Sequence, residues 1–239
     1  MEKNIAVIAG DGIGPEVTNE AIKVLNAVAT KFNHQFHYHY ELMGAIAIDK
    51  TGVPLPEKTI ETALKSDAVL LGAIGDPKYD NDPSAKVRPE QGLLLLRKSL
   101  NLFANIRPVK TYPALQHLSP LKQHNAKDTD LVIYRELTGG IYFGEKKLSD
   151  DGQSASDSCT YSKFEIERIA RKAFDAAMLR RKKLTLVDKA NVLETSRLWR
   201  KTVKEIQVDY PEVAVDFMFV DNAAMQLIMN PRQFDVILT

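Results

Sequence analysis

The sequence has few of the features that mark secreted, membrane or nucleic-acid-binding proteins. Its 239 residues include one cysteine, Cys159, so no internal disulfide can form, and we expect a free thiol in a reducing compartment. The formal net charge of +1 excludes a global field that would recruit nucleic acid or an anionic membrane. No apolar run approaches the roughly 20 residues of a membrane-spanning helix. Residues 1–4 lead directly into an apolar run, so we expect no signal peptide and a soluble, cytoplasmic protein.

Short apolar runs alternate along the chain with longer amphipathic stretches. The runs that predict strands are residues 5–9, 37–40, 68–72, 131–134, 140–144, 184–188, 214–220 and 234–239. The stretches that predict helices are residues 15–29, 57–65, 91–100, 163–181, 195–208 and 223–229, with a loop at 76–89. This alternation is typical of an α/β fold, and we place a domain boundary between 1–102 and 103–239. The last run has no turn after it, so we expect the polypeptide to be part of a longer one.

A glycine-rich turn follows the first predicted strand and precedes a helix. Its sequence, Gly-Asp-Gly-Ile-Gly at residues 10–14, lacks the G-x-G-x-x-G spacing of a dinucleotide-binding turn. The acidic residue that would bind the ribose about 20 positions later is also missing from residues 30–40. A Rossmann domain is therefore disfavoured. Two alternatives stay open for the turn, a phosphate-binding loop and a plain connection between strand and helix.

Three arginines stand beside apolar segments. Arg97 ends a run of leucines, Arg107 follows it closely, and Arg135 comes after the predicted strand at 131–134. The planar fork of arginine binds a carboxylate through two parallel hydrogen bonds. Three such residues suggest a small ligand that carries more than one carboxylate and an apolar part. Each arginine taken alone is better explained as a side chain that caps a helix, forms a surface ion pair or extends its charge to solvent.

The arginines belong to a longer set of ordered motifs. In chain order these are Gly10-Asp11-Gly12-Ile13-Gly14-Pro15-Glu16, Leu96-Arg97, Asn105-Ile106-Arg107-Pro108, Tyr134-Arg135-Glu136, Ile141-Tyr142, Asp188-Lys189-Ala190-Asn191 and Asp221-Asn222. The set resembles the β-decarboxylating dehydrogenases of the isocitrate/isopropylmalate dehydrogenase family over the whole chain. The resemblance implies a two-domain α/β fold with a mixed sheet, distinct from the Rossmann fold. It also implies a homodimer whose active site is shared between subunits.

The likeness is strongest to family members that act on 3-isopropylmalate. It implies NAD-dependent oxidative decarboxylation of (2R,3S)-3-isopropylmalate to 4-methyl-2-oxopentanoate, a step of leucine biosynthesis. The substrate is a 2-hydroxy diacid, whose carboxylates Arg97, Arg107 and Arg135 would bind. Lys189 would assist removal of the C2 hydroxyl proton, and Tyr142 would supply a proton after decarboxylation.

The resemblance also implies contacts to a metal ion and to a cofactor. Asp221 would bind the substrate and ligate Mg²⁺ or Mn²⁺, which are hard cations that prefer carboxylate oxygen. The residues implied to contact NAD are Ile13, Gly75, Asp76, Pro77 and Asn191. Neither nucleic acid nor a membrane is an expected partner.

The side chains that precede Arg97 bear on substrate choice. The resemblance places Glu90, Leu93 and Leu94 beside the substrate, and the two leucines would form an apolar wall. Burial of an isopropyl group there would contribute about 1.5 to 3 kcal/mol, whereas a third carboxylate would incur a desolvation cost of at least that size. The residues therefore favour isopropylmalate over isocitrate. Sister enzymes for homoisocitrate, tartrate or malate are the alternatives within the family.

The family takes two further metal-binding aspartates and a glycine-rich adenine loop from sequence that follows the position of Thr239. We therefore expect the 239-residue chain alone to have little or no dehydrogenase activity. The alternative from another functional class is an inactive dimerisation or regulatory module. It would rest on residues 142–161, a region that the family uses as an intersubunit arm.

Overall fold

The computed structural model describes residues 1–80 and 87–239 and divides into two compact units, Met1–Asn101 and Leu102–Thr239. Each unit is built on parallel strands with connecting helices, so the predicted α/β class is confirmed. Within the described ranges, none of the helices combines the length and apolar character needed to span a membrane. In the loop predicted at 76–89, residues 77–80 form one helical turn, while residues 81–86 lie outside the described part.

The first unit contains one small sheet. Its strands are β1 (Glu2–Gly10), β2 (Gln35–Tyr40) and β3 (Ala68–Ala73), and its helices are α1 (Gly14–Phe32), α2 (Ala45–Thr51), α3 (Glu57–Lys65), α4 (Pro77–Asp80) and α5 (Pro89–Ser99). The three strands are parallel in the order β2-β1-β3. The central strand β1 is the buried one, because its apolar run from Ile5 to Ile8 has neighbours on both sides. The core of the unit consists of Ala6, Ile8, Met43, Leu55, Ala63 and Leu96.

The second unit is larger and contains a mixed sheet. Its strands are β4 (Ala104–Lys110), β5 (Asp130–Glu136), β6 (Lys146–Leu148), β7 (Ala155–Asp157), β8 (Lys183–Asp188), β9 (Ala214–Phe219) and β10 (Val236–Leu238). Its helices are α6 (Gln123–Ala126), α7 (Lys163–Met178), α8 (Glu194–Gln207) and α9 (Val220–Met229). Five strands pair in the order β4-β5-β10-β8-β9, with β4 antiparallel to β5 and the other described pairs parallel. Pro108 is tolerated because β4 is an edge strand.

Helices α7 and α8 bury one face of the mixed sheet. Six residues of α7 recur at helical spacing and are fully buried, namely Ile166, Ile169, Ala170, Ala173, Phe174 and Ala177. They pack with Trp199 and Val203 of α8 against Leu184, Leu186 and Leu238 of the central strands. Strand β10, near the chain end, is thus the middle of the sheet and fully buried. A hairpin of β6 and β7 stands apart from this core with every residue exposed.

One sequence prediction about the site-bearing segments is wrong, and one is confirmed with a shift of a residue at its end. Residues 140–144 do not form a strand: Gly140–Tyr142 is a 3₁₀ turn. Gly140 has φ +67°, and its carbonyl accepts a bond from Gly144 N–H at 3.1 Å, which closes the turn. The strand predicted at 214–220 ends at Phe219, which places Asp221 in the first turn of α9, where an acidic side chain suits the helix dipole.

Candidate active site

Several predicted site residues of the second unit lie at one edge of the mixed sheet. The register aligns Tyr134 of β5 with Leu238 of β10 and Leu186 of β8, and it aligns Asp188 with Phe219 of β9. The carboxyl ends of these parallel strands therefore meet at the same edge. Arg135, Lys189 and Asp221 all come at or just after those ends. Ligands of α/β sheets bind at this edge, since the strands deliver side chains there from several directions.

The ladder between β4 and β5 places two arginines on one face. Asn105 lies opposite Arg135, and Arg107 follows two residues later on the same face of β4. Arg107 Nε donates to Asn105 Oδ1 at 2.7 Å, which orients the guanidinium along the strand. Arg107 is exposed and Arg135 is half-buried. Both planar cations are therefore presented to a ligand on the same side of the ladder.

Tyr142 contacts one of these arginines directly. Arg135 Nη2 donates to Tyr142 Oη at 2.9 Å, and the guanidinium carbon lies 5.2 Å from the centroid of the tyrosine ring. The turn that carries Tyr142 is held by a bond of 2.9 Å from Gly140 N–H to the carbonyl of Thr160. Because the arginine occupies a lone pair of the phenol oxygen, the phenol hydrogen is left to point at another acceptor.

Lys189 and Asp221 form an ion pair at the ends of β8 and β9, with side chains 33% and 65% exposed. The hydrogen bond from Lys189 holds the pKa of the Asp221 carboxyl below its ordinary value. Lys189 N–H donates to Ser196 Oγ at 3.1 Å, so the start of α8 fixes the backbone at this point. A cavity of about 200 Å³ opens beside Lys189, Trp199 and Val220.

The described residues do not complete a divalent-cation site. Mg²⁺ and Mn²⁺ in proteins prefer about six oxygen ligands, several of them carboxylates. In the ranges 1–80 and 87–239, no three histidine, cysteine, aspartate or glutamate side chains come close enough to hold a metal ion. The carboxylate of Asp221, the metal ligand that the resemblance implies, accepts a hydrogen bond from Lys189. Asp221 can therefore contribute to a metal site but does not form one with the other described residues.

The predicted cofactor residues of the first unit follow the carboxyl ends of β1 and β3, where the carboxylate of Asp11 is buried. Asp11 accepts the N–H of Gly75 at 3.0 Å, and Gly75 has φ +127°. Ile13 is 57% exposed at the start of α1, while Pro77 begins α4. The carboxylate of Asp76 accepts the N–H of the second residue of that helix at 3.0 Å. These residues are brought together on one side of the unit.

Two of the three glycines of the turn after β1 are explained by packing. A Cβ on Gly10 would lie 2.0 Å from the carbonyl oxygen of Ala73, and one on Gly14 would lie 2.1 Å from that of Ala9. The plain connection, one of the two alternatives for this turn, thus accounts for both glycines. The N–H of Gly75 donates to the Asp11 carboxylate and so is not available to a phosphate. The described residues show no feature that requires a nucleotide, so they do not by themselves define an NAD site.

Helix α5 carries the other predicted substrate residues of the first unit. Glu90, Leu93, Leu94 and Arg97 are spaced three or four apart and share one side of the helix. Leu93 packs partly against the core of the unit, Leu94 and Arg97 are half-buried, and Glu90 is exposed. Gly75 lies close to Glu90, since a Cβ on the glycine would be 3.3 Å from Glu90 Oε1. Asn191, in the second unit, lies exposed in the turn after Lys189.

Three buried carboxylates adjoin the predicted site residues, and the sequence predicted no role for them. They are Asp11, Glu136 and Asp188, with residue exposures of 6%, 3% and 8%. Each adjoins a predicted site residue or turn, and each accepts backbone N–H groups of the segment that follows a strand. The sequence signal was present, because each is an acidic residue at the end of an apolar strand. The burial of these three carboxylates could not be predicted from the sequence pattern.

Comparisons with known proteins agree with this architecture. The model of the isocitrate/isopropylmalate dehydrogenase family matches residues 4–239. The chain is 55% identical over 239 residues to a 3-isopropylmalate dehydrogenase of Bacteroides fragilis strain YCH46, covering 100% of this chain and 67% of the relative. It is 53% identical over 242 residues to the 3-isopropylmalate dehydrogenase of Priestia megaterium, covering 100% of this chain and 65% of the relative.

Solved structures give the same result. An isocitrate dehydrogenase from Methylococcus capsulatus superposes with a TM-score of 0.84 at 33% identity, over 99% of this chain and 66% of that one. A β-decarboxylating dehydrogenase from Thermococcus kodakarensis superposes with a TM-score of 0.72 at 33% identity, over 98% of this chain and 63% of that one. The chain thus spans about two thirds of the length of the proteins that it matches.

Proposed function

The chain belongs to the isocitrate/isopropylmalate dehydrogenase family, and from that premise we propose that it carries substrate-binding and proton-transfer residues of an NAD-dependent 3-isopropylmalate dehydrogenase. The reaction proposed for the whole protein is oxidative decarboxylation of 3-isopropylmalate to 4-methyl-2-oxopentanoate, in leucine biosynthesis in the cytoplasm. The observation that carries the proposal is the face shared by Arg107 and Arg135, beside Tyr142.

Substrate binding is assigned to the arginines. Arg107 and Arg135 present two guanidinium groups on one face of the β4–β5 ladder, and each can bind a carboxylate through two hydrogen bonds. Arg97 of α5 is proposed as the third arginine. Beside it, Leu94 supports an isopropyl group better than a third carboxylate, while part of Leu93 is used by the core of the first unit.

Proton transfer is assigned to Tyr142 and Lys189. A guanidinium 2.9 Å from the phenol oxygen of Tyr142 stabilises negative charge that develops there when the proton leaves. Tyr142 is therefore suited to protonate the enol that remains after loss of CO₂. Lys189, at the end of β8, is proposed to take part in removing the C2 hydroxyl proton.

The whole protein is proposed to use NAD together with Mg²⁺ or Mn²⁺. Asp221 is the proposed metal ligand of this chain, and Ile13, Gly75, Asp76, Pro77 and Asn191 are the proposed cofactor contacts. Since the described residues complete neither site, we expect the chain alone to turn over little substrate. A rate with 3-isopropylmalate, NAD⁺ and Mn²⁺ within about tenfold of that of a full-length relative, a barrier difference of about 1.4 kcal/mol, would contradict this expectation.

Calorimetric titration of the chain tests substrate binding without turnover. We expect 3-isopropylmalate to bind more tightly than isocitrate, and we expect Arg107→Met and Arg135→Met each to weaken binding about 10- to 100-fold, the value of a charge-assisted bond. Arg171→Met is the matched control, because this arginine of α7 is paired with Asp209 at the surface. Unchanged affinity in both site variants, or tighter binding of isocitrate, would sink the assignment.

The exposed hairpin of β6 and β7 supports a homodimer as the proposed assembly. Its residues make no core contact within the described chain, and Leu148 is 66% exposed. An apolar side chain at a hairpin tip is better accommodated against another subunit than in water. Light scattering should give twice the chain mass, and Leu148→Glu should shift the population toward monomer. A monomeric wild-type chain would contradict the proposed homodimer.

A further inference from the structure

The two strand ends that lead to the proton-transfer residues share one construction. Strand β5 ends with Arg135-Glu136, and β8 ends with Asp188, followed by Lys189. In each dipeptide the cation faces the candidate site, while the neighbouring carboxylate turns into the protein. The side chains of Glu136 and Asp188 are 0% and 3% exposed. Arg135 and Glu136 are successive residues of one strand and so point to opposite faces, which places the buried carboxylate behind the site. Lys189 follows the last residue of β8, and there the bond from Ala190 N–H to Asp188 turns the chain.

Glu136 shapes the turn that leads to Tyr142. Its Oε2 accepts the N–H of Thr138 at 2.9 Å and that of Gly139 at 2.8 Å. Its Oε1 accepts the Thr138 hydroxyl at 2.8 Å and Nη2 of Arg168 at 3.0 Å. The turn therefore bends around one carboxylate, which is held from below by an arginine of α7.

Asp188 is held in the same manner. Arg200 of α8 binds it through Nε at 2.6 Å and Nη2 at 3.0 Å. Asp188 Oδ1 also accepts the N–H of Ala190 at 3.0 Å, which bends the chain just after Lys189. The backbone on both sides of the lysine is thus tied to a buried group.

Each clamping arginine lies within cation–π distance of two phenylalanine rings. The guanidinium of Arg168 lies 4.6 Å from the ring centroid of Phe103 and 5.3 Å from that of Phe164. That of Arg200 lies 5.3 and 5.1 Å from two rings of β9, at positions 217 and 219. Cation–π attraction to these rings helps to hold each guanidinium in place, and with it the carboxylate that it binds.

Stability alone does not account for these pairs. A buried ion pair contributes about as much as apolar residues of the same volume, or less, because both charges lose water. Within the described chain, Nε of Arg168 is buried and has no hydrogen-bond partner, which is a further cost. The arrangement instead fixes the geometry of the turns. A displacement of about 1 Å of a proton-transfer group is enough to lower a rate about 100-fold.

We propose that Glu136 with Arg168 positions Tyr142, and that Asp188 with Arg200 positions Lys189, as two independent clamps behind the candidate site. This inference rests on the proposed function, in which Tyr142 and Lys189 move protons. The four clamp residues are positioning residues, since they reach the site through the backbone of the turns that they hold.

Two spectroscopic probes test the clamps without any need for turnover. Tyr142 is replaced by 3-fluorotyrosine and observed by ¹⁹F NMR, while ¹³C-dimethylated lysines are observed in the same chain, with Lys189 assigned through Lys189→Arg. We expect Glu136→Gln to shift or split the ¹⁹F signal and to leave the Lys189 signal unchanged. Asp188→Asn should give the reverse pattern. Asp235→Asn, which alters a buried arginine-paired carboxylate at the opposite sheet edge, should move neither signal.

The crossed pattern separates positioning from general loosening of the fold. If each carboxylate variant moves both signals, or if neither moves its own, the proposal is overturned. Where a glutamine or asparagine variant fails to fold, Arg168→Lys and Arg200→Lys replace it, because lysine retains the charge but loses the planar fork. A chain that shows the crossed pattern but binds no 3-isopropylmalate would refute the proposed function and leave the clamps in place.

Discussion

The turns after β1 and after β5 both enclose a buried carboxylate, but the two carboxylates have different partners. Asp11, in the first unit, accepts N–H groups of Ala45 at 2.8 Å, Ile46 at 2.9 Å and Gly75 at 3.0 Å. Those amides belong to segments far along the chain, and no ion pair to Asp11 occurs among the described residues. Glu136, in the second unit, accepts amides of its own turn together with an arginine.

The difference shows two ways in which a buried charge is accommodated. Backbone amides alone suffice for Asp11, because three of them converge on it and two lie at the start of α2. Glu136 has two amides and a hydroxyl, and Arg168 supplies the remaining compensation. The carboxylate of the first unit therefore joins distant segments, whereas that of the second unit fixes a local turn.

Removal of the cation should have the largest effect. Arg168→Met leaves Glu136 buried without a counter-charge, so we expect unfolding of the second unit to become easier by about 3 to 5 kcal/mol. Urea denaturation measures the loss. Arg171→Met, on the same helix but paired with Asp209 at the surface, should lose no more than about 1 kcal/mol. Equal losses of unfolding free energy in the two variants would show that breaking the buried pair costs no more than breaking the surface pair.

Removal of the Asp11 carboxylate should destabilise segments that are distant from it in the sequence. Asp11→Ala leaves three buried N–H groups without an acceptor, and we expect the first unit to lose about 3 kcal/mol. Hydrogen exchange should quicken at Ala45, Ile46 and Gly75 together. Asp11→Asn retains one acceptor oxygen and should lose less. Faster exchange confined to residues 10–14 would contradict the role of Asp11 as a link between segments.

A pair of glycines separates backbone strain from steric clash in the two turns. Gly12 has φ +53° with open space where a Cβ would lie, whereas Gly140 has φ +67° with Tyr161 Oη 2.4 Å from that position. We expect Gly12→Ala to lose about 1 kcal/mol from the left-handed backbone alone. Gly140→Ala should lose about 2 kcal/mol, since the tyrosine ring must also move. Thermal denaturation compares them, and the reverse order would refute this account.

The smallest effect should appear at alkaline pH. Burial raises the pKa of Tyr161, beside the second turn, from 10.0 to about 12. Below pH 10 the phenol is neutral in the folded and unfolded chains, and above it the unfolded chain ionises first. Stability should therefore fall as pH rises from about 10 to 12, by no more than about 1 kcal/mol after allowance for partial exposure of the ring. Tyr161→Phe should abolish this part of the pH dependence, and an unchanged pH profile would contradict it.

Much of the fold followed from periodicity in the sequence. The helix predicted at 57–65 is found at Glu57–Lys65, and the strand at 184–188 is found at Lys183–Asp188. Apolar runs bounded by turn residues specify such elements, because side-chain burial and backbone hydrogen bonding favour the same local structure there. The helix at Ala45–Thr51 was not predicted, and a further failure came at the site. Residues 140–144 are apolar and aromatic, as in a strand, yet two glycines close them into a 3₁₀ turn.

The candidate residues themselves were found from ordered motifs, but their surroundings were not. Strand β4 was not predicted, so the sequence could not place Arg107 and Arg135 on one face. The pairing of Lys189 with Asp221 also depends on two strands lying side by side. Their assigned roles stay proposals, which the titrations and spectroscopic tests address.

The sequence by itself determined the α/β class and the family, because short-range pattern and motif order carry that information. Only the tertiary structure decided which charged residues are buried. Asp11, Glu136 and Asp188 look like ordinary strand-end acids in the sequence, and their burial depends on amides and arginines contributed by other segments. A buried charge is stable only where such partners converge, and convergence is a property of the folded chain.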